Sequence, residues 1–202
     1  MSTAKGPNFL VVGAGKAGTT SLYRYLSQHP GIYMSPVKEP SYFASEISHR
    51  KSQRRFAASR PPKPRVRLER ISRYLRTPTD ELAIGDATPS YLWSPTAPAA
   101  IRSRIPDAKI IMILRDPAER AFSHYLHQLA EGLTRMSFRE QIEKCARGSN
   151  GKLSILYPFL EIGLYHQQVR RYLDLFPREH VRIYWYEEAW RQPALLLADL
   201  FA

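Results

Sequence analysis

The feature that most restricts how this chain can fold is a junction near its start. Asn8–Val12 is an apolar run suited to a short buried strand, and Gly13-Ala14-Gly15-Lys16-Ala17-Gly18-Thr19-Thr20-Ser21 follows at once. Helical spacing then takes over from Thr19 to Gln28, with Leu22, Tyr25 and Leu26 on one face and Pro30 as the stop. A strand that turns through glycines into a helix is the first half of an α/β unit. The rest of the chain keeps that rhythm. Strands are predicted at Gly31–Met34, at Leu82–Ile84 ending on Gly85, at Lys109–Leu114 and at Val181–Trp185. Helices are predicted at Pro95–Arg104, from Pro117 onward, at Ser137–Arg147, at Ile162–Phe176 and at Pro193–Phe201, with shorter candidates at Lys38–Ala44 and Val66–Leu75. Strands alternating with helices imply a central parallel sheet flanked by helices, a three-layer α/β domain.

Length suits one such domain: 202 residues bury a sizeable core without requiring a second. No apolar stretch approaches the roughly 18–20 residues of a membrane span, and the apolar run at Phe9–Val12 is too short for a signal peptide. The single cysteine, Cys145, can form neither an internal disulfide nor a zinc site by itself, so a reducing compartment, the cytoplasm, is the expectation. The net charge of +12 is concentrated: His49–Arg76 holds eleven Lys or Arg against one acid, Glu69, which leaves +2 for everything else. That stretch, centred on Pro61-Pro62-Lys63-Pro64, reads as a basic insertion able to attract an anionic acceptor or membrane surface. It lacks interleaved stacking aromatics, which argues against a nucleic-acid-binding module.

The first loop admits three readings. Glycines allow the backbone to wrap closely round a phosphate, and the helix start adds partial positive charge. The letters satisfy the dinucleotide fingerprint G-x-G-x-x-G, yet no acidic residue ends a second strand at the distance that ribose recognition needs. They come close to the nucleotide-kinase pattern G-x-x-x-x-G-K-[ST], but Thr19 stands where lysine belongs, and Lys16 lies three positions earlier. Nor does the strand Lys109–Leu114 end in an aspartate for magnesium; Arg115-Asp116-Pro117 follows it.

The second motif is Ile110-Ile111-Met112-Ile113-Leu114-Arg115-Asp116-Pro117-Ala118-Glu119-Arg120-Ala121-Phe122-Ser123-His124-Tyr125. The strand delivers Arg115 at its C-terminal edge, where open α/β sheets bind ligands. Asp116 can cap the next helix, Pro117 opens it, and Ser123 lies two turns in. A guanidinium and a hydroxyl so placed can grip a phosphate beyond reach of the first loop.

Together these motifs resemble the sulfotransferases. Lys16-Ala17-Gly18-Thr19-Thr20-Ser21-Leu22 is similar to their 5′-phosphosulfate-binding loop, and strand-Arg115-Asp116-Pro117 through Ser123 to their 3′-phosphate-binding motif. The resemblance covers nearly the whole chain and is strongest to bacterial sulfotransferases and the sulfotransferase domains of heparan sulfate enzymes. Lys38-Glu39-Pro40-Ser41-Tyr42-Phe43, Asp86-Ala87-Thr88-Pro89-Ser90-Tyr91 and Gly163-Leu164-Tyr165 have counterparts there. What it implies is a phosphate-loop-like fold and the co-substrate 3′-phosphoadenosine 5′-phosphosulfate, bound by Gly15, Lys16, Ala17, Gly18, Thr19, Thr20, Ser21, Arg115 and Ser123 without a metal. A sulfuryl group carries less charge than a phosphoryl group, so a lysine can neutralise the leaving phosphate.

The resemblance makes Lys16 and Glu39 catalytic, with Glu39 the base, and Asp86 the runner-up base. Glu39, Asp86 and Tyr165 are the substrate-side candidates. Ala87 stands where heparan-type enzymes often carry lysine and Ser41 where some carry histidine, so a carbohydrate, lipid or small-metabolite acceptor are all open. His29 reads as structural, and His124 as facing away from Ser123. The family's chain continues past the helix matching Pro193–Phe201 with a basic loop, often Arg-Lys-Gly. That triplet does not occur here. The expectation is one sulfotransferase domain over 1–202 lacking the family's C-terminal segment, with weak donor binding.

Overall fold

The computed structural model describes residues 6–44, 47, 83–147 and 159–201. The basic stretch 49–76 and the helix predicted at Val66–Leu75 lie outside the described residues. Among the described residues five strands, β1 (Phe9–Gly13), β2 (Ile32–Met34), β3 (Ala83–Ala87), β4 (Lys109–Leu114) and β5 (Val181–Trp185), form one sheet in the order β2-β3-β1-β4-β5. Every pairing is parallel. Around it lie α1 (Thr19–Leu26), α2 (Ser90–Trp93), α3 (Ala97–Arg104), α4 (Pro117–Ala130), α5 (Phe138–Ala146), α6 (Tyr165–Leu173), α7 (Tyr186–Arg191) and α8 (Pro193–Phe201).

The central strand is the most enclosed. All five residues of β1 are buried, and β4 buries Ile110 to Leu114, as expected of parallel strands covered on both faces. Phe9–Val12, Ile110–Ile113, Leu22, Leu26, Tyr91, Ile101 and Tyr172 belong to one continuous core. Local chemistry sets several helix starts. Asp116 accepts hydrogen bonds from the amides of Ala118 and Glu119, both 2.9 Å, with Pro117 following. Ser137 and Glu140 form a reciprocal capping box at the head of α5.

Four expectations need correction. No helix forms over Lys38–Ala44, because Glu39 and Ser41 sit at φ 58° and 55°, outside any helical conformation. β3 does not stop at Gly85 but runs to Ala87, pairing Asp86 with Leu10 and Ala87 with Val11. Gly85 is a close-packing position: a Cβ there would lie 2.3 Å from Phe9 and 2.4 Å from the Met34 sulfur. The helix expected from Ile162 begins at Tyr165 after a single 3₁₀ turn, Glu161–Gly163. Two short helices, α2 and α7, arise where the sequence showed none; both are too short to display a helical period.

Candidate active site

The chemistry-bearing residues gather at the C-terminal edge of the sheet, where the loops after β1, β2 and β4 emerge and β3 ends. After β1 the chain turns through Gly13 to Gly18. Gly18 holds φ 79° as the residue before α1, and its missing side chain matters twice: a Cβ would sit 2.2 Å from the Trp190 indole nitrogen. Gly15 has open space where a Cβ would stand, so its backbone faces room rather than packed protein. Ala17 and Thr19 are buried and anchor the loop, while Thr20 and Ser21 at the helix start are exposed. The exposed first turn leaves backbone N–H groups free of helical partners, the usual anion-binding arrangement.

Arg115 joins this loop to the second motif. Its Nη1 donates to the Lys16 carbonyl at 3.4 Å, its guanidinium lies 4.5 Å from the centre of the Tyr186 ring, and Nη2 reaches Glu119 at 3.4 Å. The buried Nε has no hydrogen-bond partner among the described residues. Ser123 is half-buried, two turns into α4. A guanidinium with an unsatisfied nitrogen beside an open glycine loop fits an anionic group of the expected donor.

Lys16 feels both motifs. Burial lowers its proton affinity first; Lys38 and Arg115 lower it further, while Glu39 opposes them. Four charged side chains from three segments therefore share one electrostatic site. Glu39 pairs with Lys38 at 2.5 Å and is only partly exposed. Its amide donates to the Ala87 carbonyl at 3.2 Å, which docks the Lys38–Phe43 loop against the end of β3.

Asp86 differs from Glu39 in every respect. It has no exposure, and its oxygens accept from the Thr88 hydroxyl at 2.7 Å and the Tyr91 hydroxyl at 2.8 Å. Burial pushes its carboxyl up to about 6, the two hydrogen bonds pull it down, and the nearby Glu39 charge raises it. Tyr165 lies on the Arg115 side of the site: the groups acting on its buried hydroxyl are Arg120, the Arg115 main chain, Asp116 and Glu187. Burial raises that hydroxyl's pKa. His124 is buried against Phe159 at 4.6 Å, and burial with the Arg120 charge pushes it down to about 3. His29 accepts the Gly31 amide through Nδ1 at 3.1 Å and packs on Phe201. Sequence reasoning missed Tyr186 and Trp190, and gave Arg120 no role although it stands in the second motif. The first two sit on the unforeseen helix α7, and Arg120 is fully buried with its guanidinium donating to the Phe159 carbonyl.

Against known proteins, the profile of the sulfotransferase family matches residues 7–193. The chain belongs to the sulfotransferase family. A solved sulfotransferase from Alicyclobacillus acidocaldarius superposes with a TM-score of 0.83 and 36% identity, covering 96% of this chain and 78% of that one. The human heparan sulfate glucosamine 3-O-sulfotransferase 6 is 30% identical over 174 residues, 86% of this chain and 45% of the relative. The human bifunctional heparan sulfate N-deacetylase/N-sulfotransferase 3 is 28% identical over 176 residues, 85% of this chain and 19% of the relative. This sulfotransferase chain thus spans less than half the length of those two curated relatives. The parallel central sheet flanked by helices is that of the family fold.

Proposed function

We propose that this sulfotransferase moves a sulfuryl group from 3′-phosphoadenosine 5′-phosphosulfate to a hydroxyl or amine of its acceptor. The observation that carries the reading is the meeting of Lys16, Arg115 and Glu39 at one sheet edge, with Arg115 bonded to the Lys16 main chain. When bound, the donor supplies an activated sulfuryl group attached to a phosphate that can leave.

Each residue has a distinct task. The amides of Gly15 to Thr20 and the start of α1 hold the 5′-phosphate. Arg115 and Ser123 hold the 3′-phosphate, which the nucleotide of an ordinary kinase lacks. Glu39 takes the proton from the attacking oxygen or nitrogen as the new bond to sulfur forms. Lys16 neutralises the negative charge that grows on the phosphate oxygen as its bond to sulfur breaks. The likeness to heparan sulfate enzymes supports a sugar acceptor. Ala87 and Ser41, standing for a lysine and a histidine of those enzymes, support one recognised by other contacts.

Thermal shift tests the donor half directly. Adenosine 3′,5′-bisphosphate should raise Tm without magnesium, and adenosine 5′-phosphate should do so far less, since a ligand of the folded state stabilises it by mass action. Arg115→Lys should weaken the first ligand by about tenfold and leave the second unchanged, because a forked, charge-assisted contact becomes a point contact. Equal shifts from both nucleotides, or a dominant magnesium-ATP shift, would overturn the reading.

A further inference from the structure

Glu39 and Ser41 both hold positive φ with Pro40 between them. Residues with a Cβ leave that region unless neighbours hold them there. Two hydrogen bonds do so. Besides the Glu39 amide on the Ala87 carbonyl, the Tyr42 amide donates to the Tyr91 hydroxyl at 2.9 Å. That hydroxyl sends its own hydrogen to Asp86 Oδ2. Its lone pairs are thereby turned toward Tyr42, because a hydroxyl has one hydrogen to place. Tyr91 is itself fixed: its carbonyl accepts the Tyr172 hydroxyl at 2.9 Å, and its ring meets the edge of Phe43. Asp86 and Tyr91 both have no exposure.

We propose that Tyr91, oriented by Asp86, is a positioning residue for the acceptor side: the pair sets the turn that presents Glu39, and Asp86 takes no proton from the acceptor. The proposal rests on Glu39 being the base. Asp86 has both oxygens engaged, by Thr88 and Tyr91, and no exposed surface; it reaches the Glu39 turn through Tyr91.

The test turns on which variants behave alike. Asp86→Asn keeps an oxygen for the Tyr91 hydroxyl. Asp86→Ala and Tyr91→Phe cut the link, and Asp86→Asn with Tyr91→Phe cuts it without stranding a buried charge. Amide hydrogen exchange over residues 38–44 should rise about tenfold or more in the three cut variants and stay near wild type in Asp86→Asn, the loss of one hydrogen bond being worth about a factor of ten. Release of 4-nitrophenol from 4-nitrophenyl sulfate, with adenosine 3′,5′-bisphosphate as sulfuryl acceptor, should show the same split. There kcat falls about tenfold in the cut variants while KM for the nucleotide is unchanged. A base at position 86 requires the opposite: Asp86→Asn as inactive as Asp86→Ala, and Tyr91→Phe active. That pattern, or unchanged exchange in the double variant, overturns the proposal. If Tyr91→Phe does not fold, the double variant decides. Failure of the donor reading would appear separately, as no thermal shift of the wild type with adenosine 3′,5′-bisphosphate. The exchange measurement decides the link in either case.

Discussion

The loop after β1 and the loop after β2 meet the same site, and both bend through left-handed backbone, but only the first uses glycine to do it. In the first, Gly18 supplies part of the bend with no Cβ to resist it, and the chain enters α1 directly. In the second, Glu39 and Ser41 adopt the bend despite their side chains and are held by bonds to Ala87 and Tyr91. The first loop leans on its own glycines, though Lys16 also holds φ 69° and is tied from afar, its carbonyl accepting from Arg115 and the Ala14 amide donating to the Ile113 carbonyl. The second loop's shape is imposed by β3 and α2, which enter the chain more than forty residues later. A phosphate cradle is generic and tolerates a local solution; a base that must meet one acceptor atom needs support from the frame.

The largest effect expected on this contrast is catalytic. Lys16→Ala should lower kcat by about a hundred- to a thousandfold, the usual loss when charge stabilisation is removed where charge develops. Glu39→Gln should reduce turnover while nucleotide binding stays intact. If instead Lys16→Ala affects only KM for the donor, Lys16 belongs to uniform binding and the division of labour fails.

A second expectation sharpens the acceptor side through pH. The buried Asp86 carboxyl is raised from 3.8 to about 6 in the folded protein. The folded state therefore binds its proton more tightly than the unfolded chain does. Stability from this group is fully present below pH 3.8 and is lost as pH rises through about 6. The loss amounts to about 3 kcal/mol. Denaturant unfolding of wild type and Asp86→Asn from pH 4 to 8 should show the difference between them moving by about that amount in favour of the variant. A pH-independent difference would mean that Asp86 binds its proton equally well in the folded and unfolded states, so that burial does not shift it.

The smallest effects separate the two backbones. Gly18→Ala places a Cβ against Trp190 at a positive φ and should cost about 2 kcal/mol. Ser41→Gly should stay within about 0.5–1 kcal/mol of wild type, because relief at φ 55° offsets the added freedom of the unfolded chain. Chemical denaturation reads both; equal costs would erase the distinction between a bend made by glycine and one made by residues with side chains.

Local patterns of residues suffice for the alternating architecture, the limits of β4 and β5, and the position of the first loop between strand and helix. These depend on interactions short in sequence: apolar runs, proline and glycine stops, and caps such as Asp116. Fold and family were legible for the same reason, since each motif carries its own strand and helix. Long-range packing is what keeps Lys38–Ala44 from being a helix, carries β3 through Gly85, and seals Asp86 while leaving Glu39 partly exposed. Tyr186 and Trp190 came into view the same way, from a six-residue helix with no period to detect. Each of these outcomes turns on a partner far along the chain: Phe9 and Met34 filling the space at Gly85, Tyr91 reaching Tyr42, Arg115 lying on Tyr186. Whether a carboxylate is exposed or buried is a property of such neighbours, and no local pattern of residues carries it.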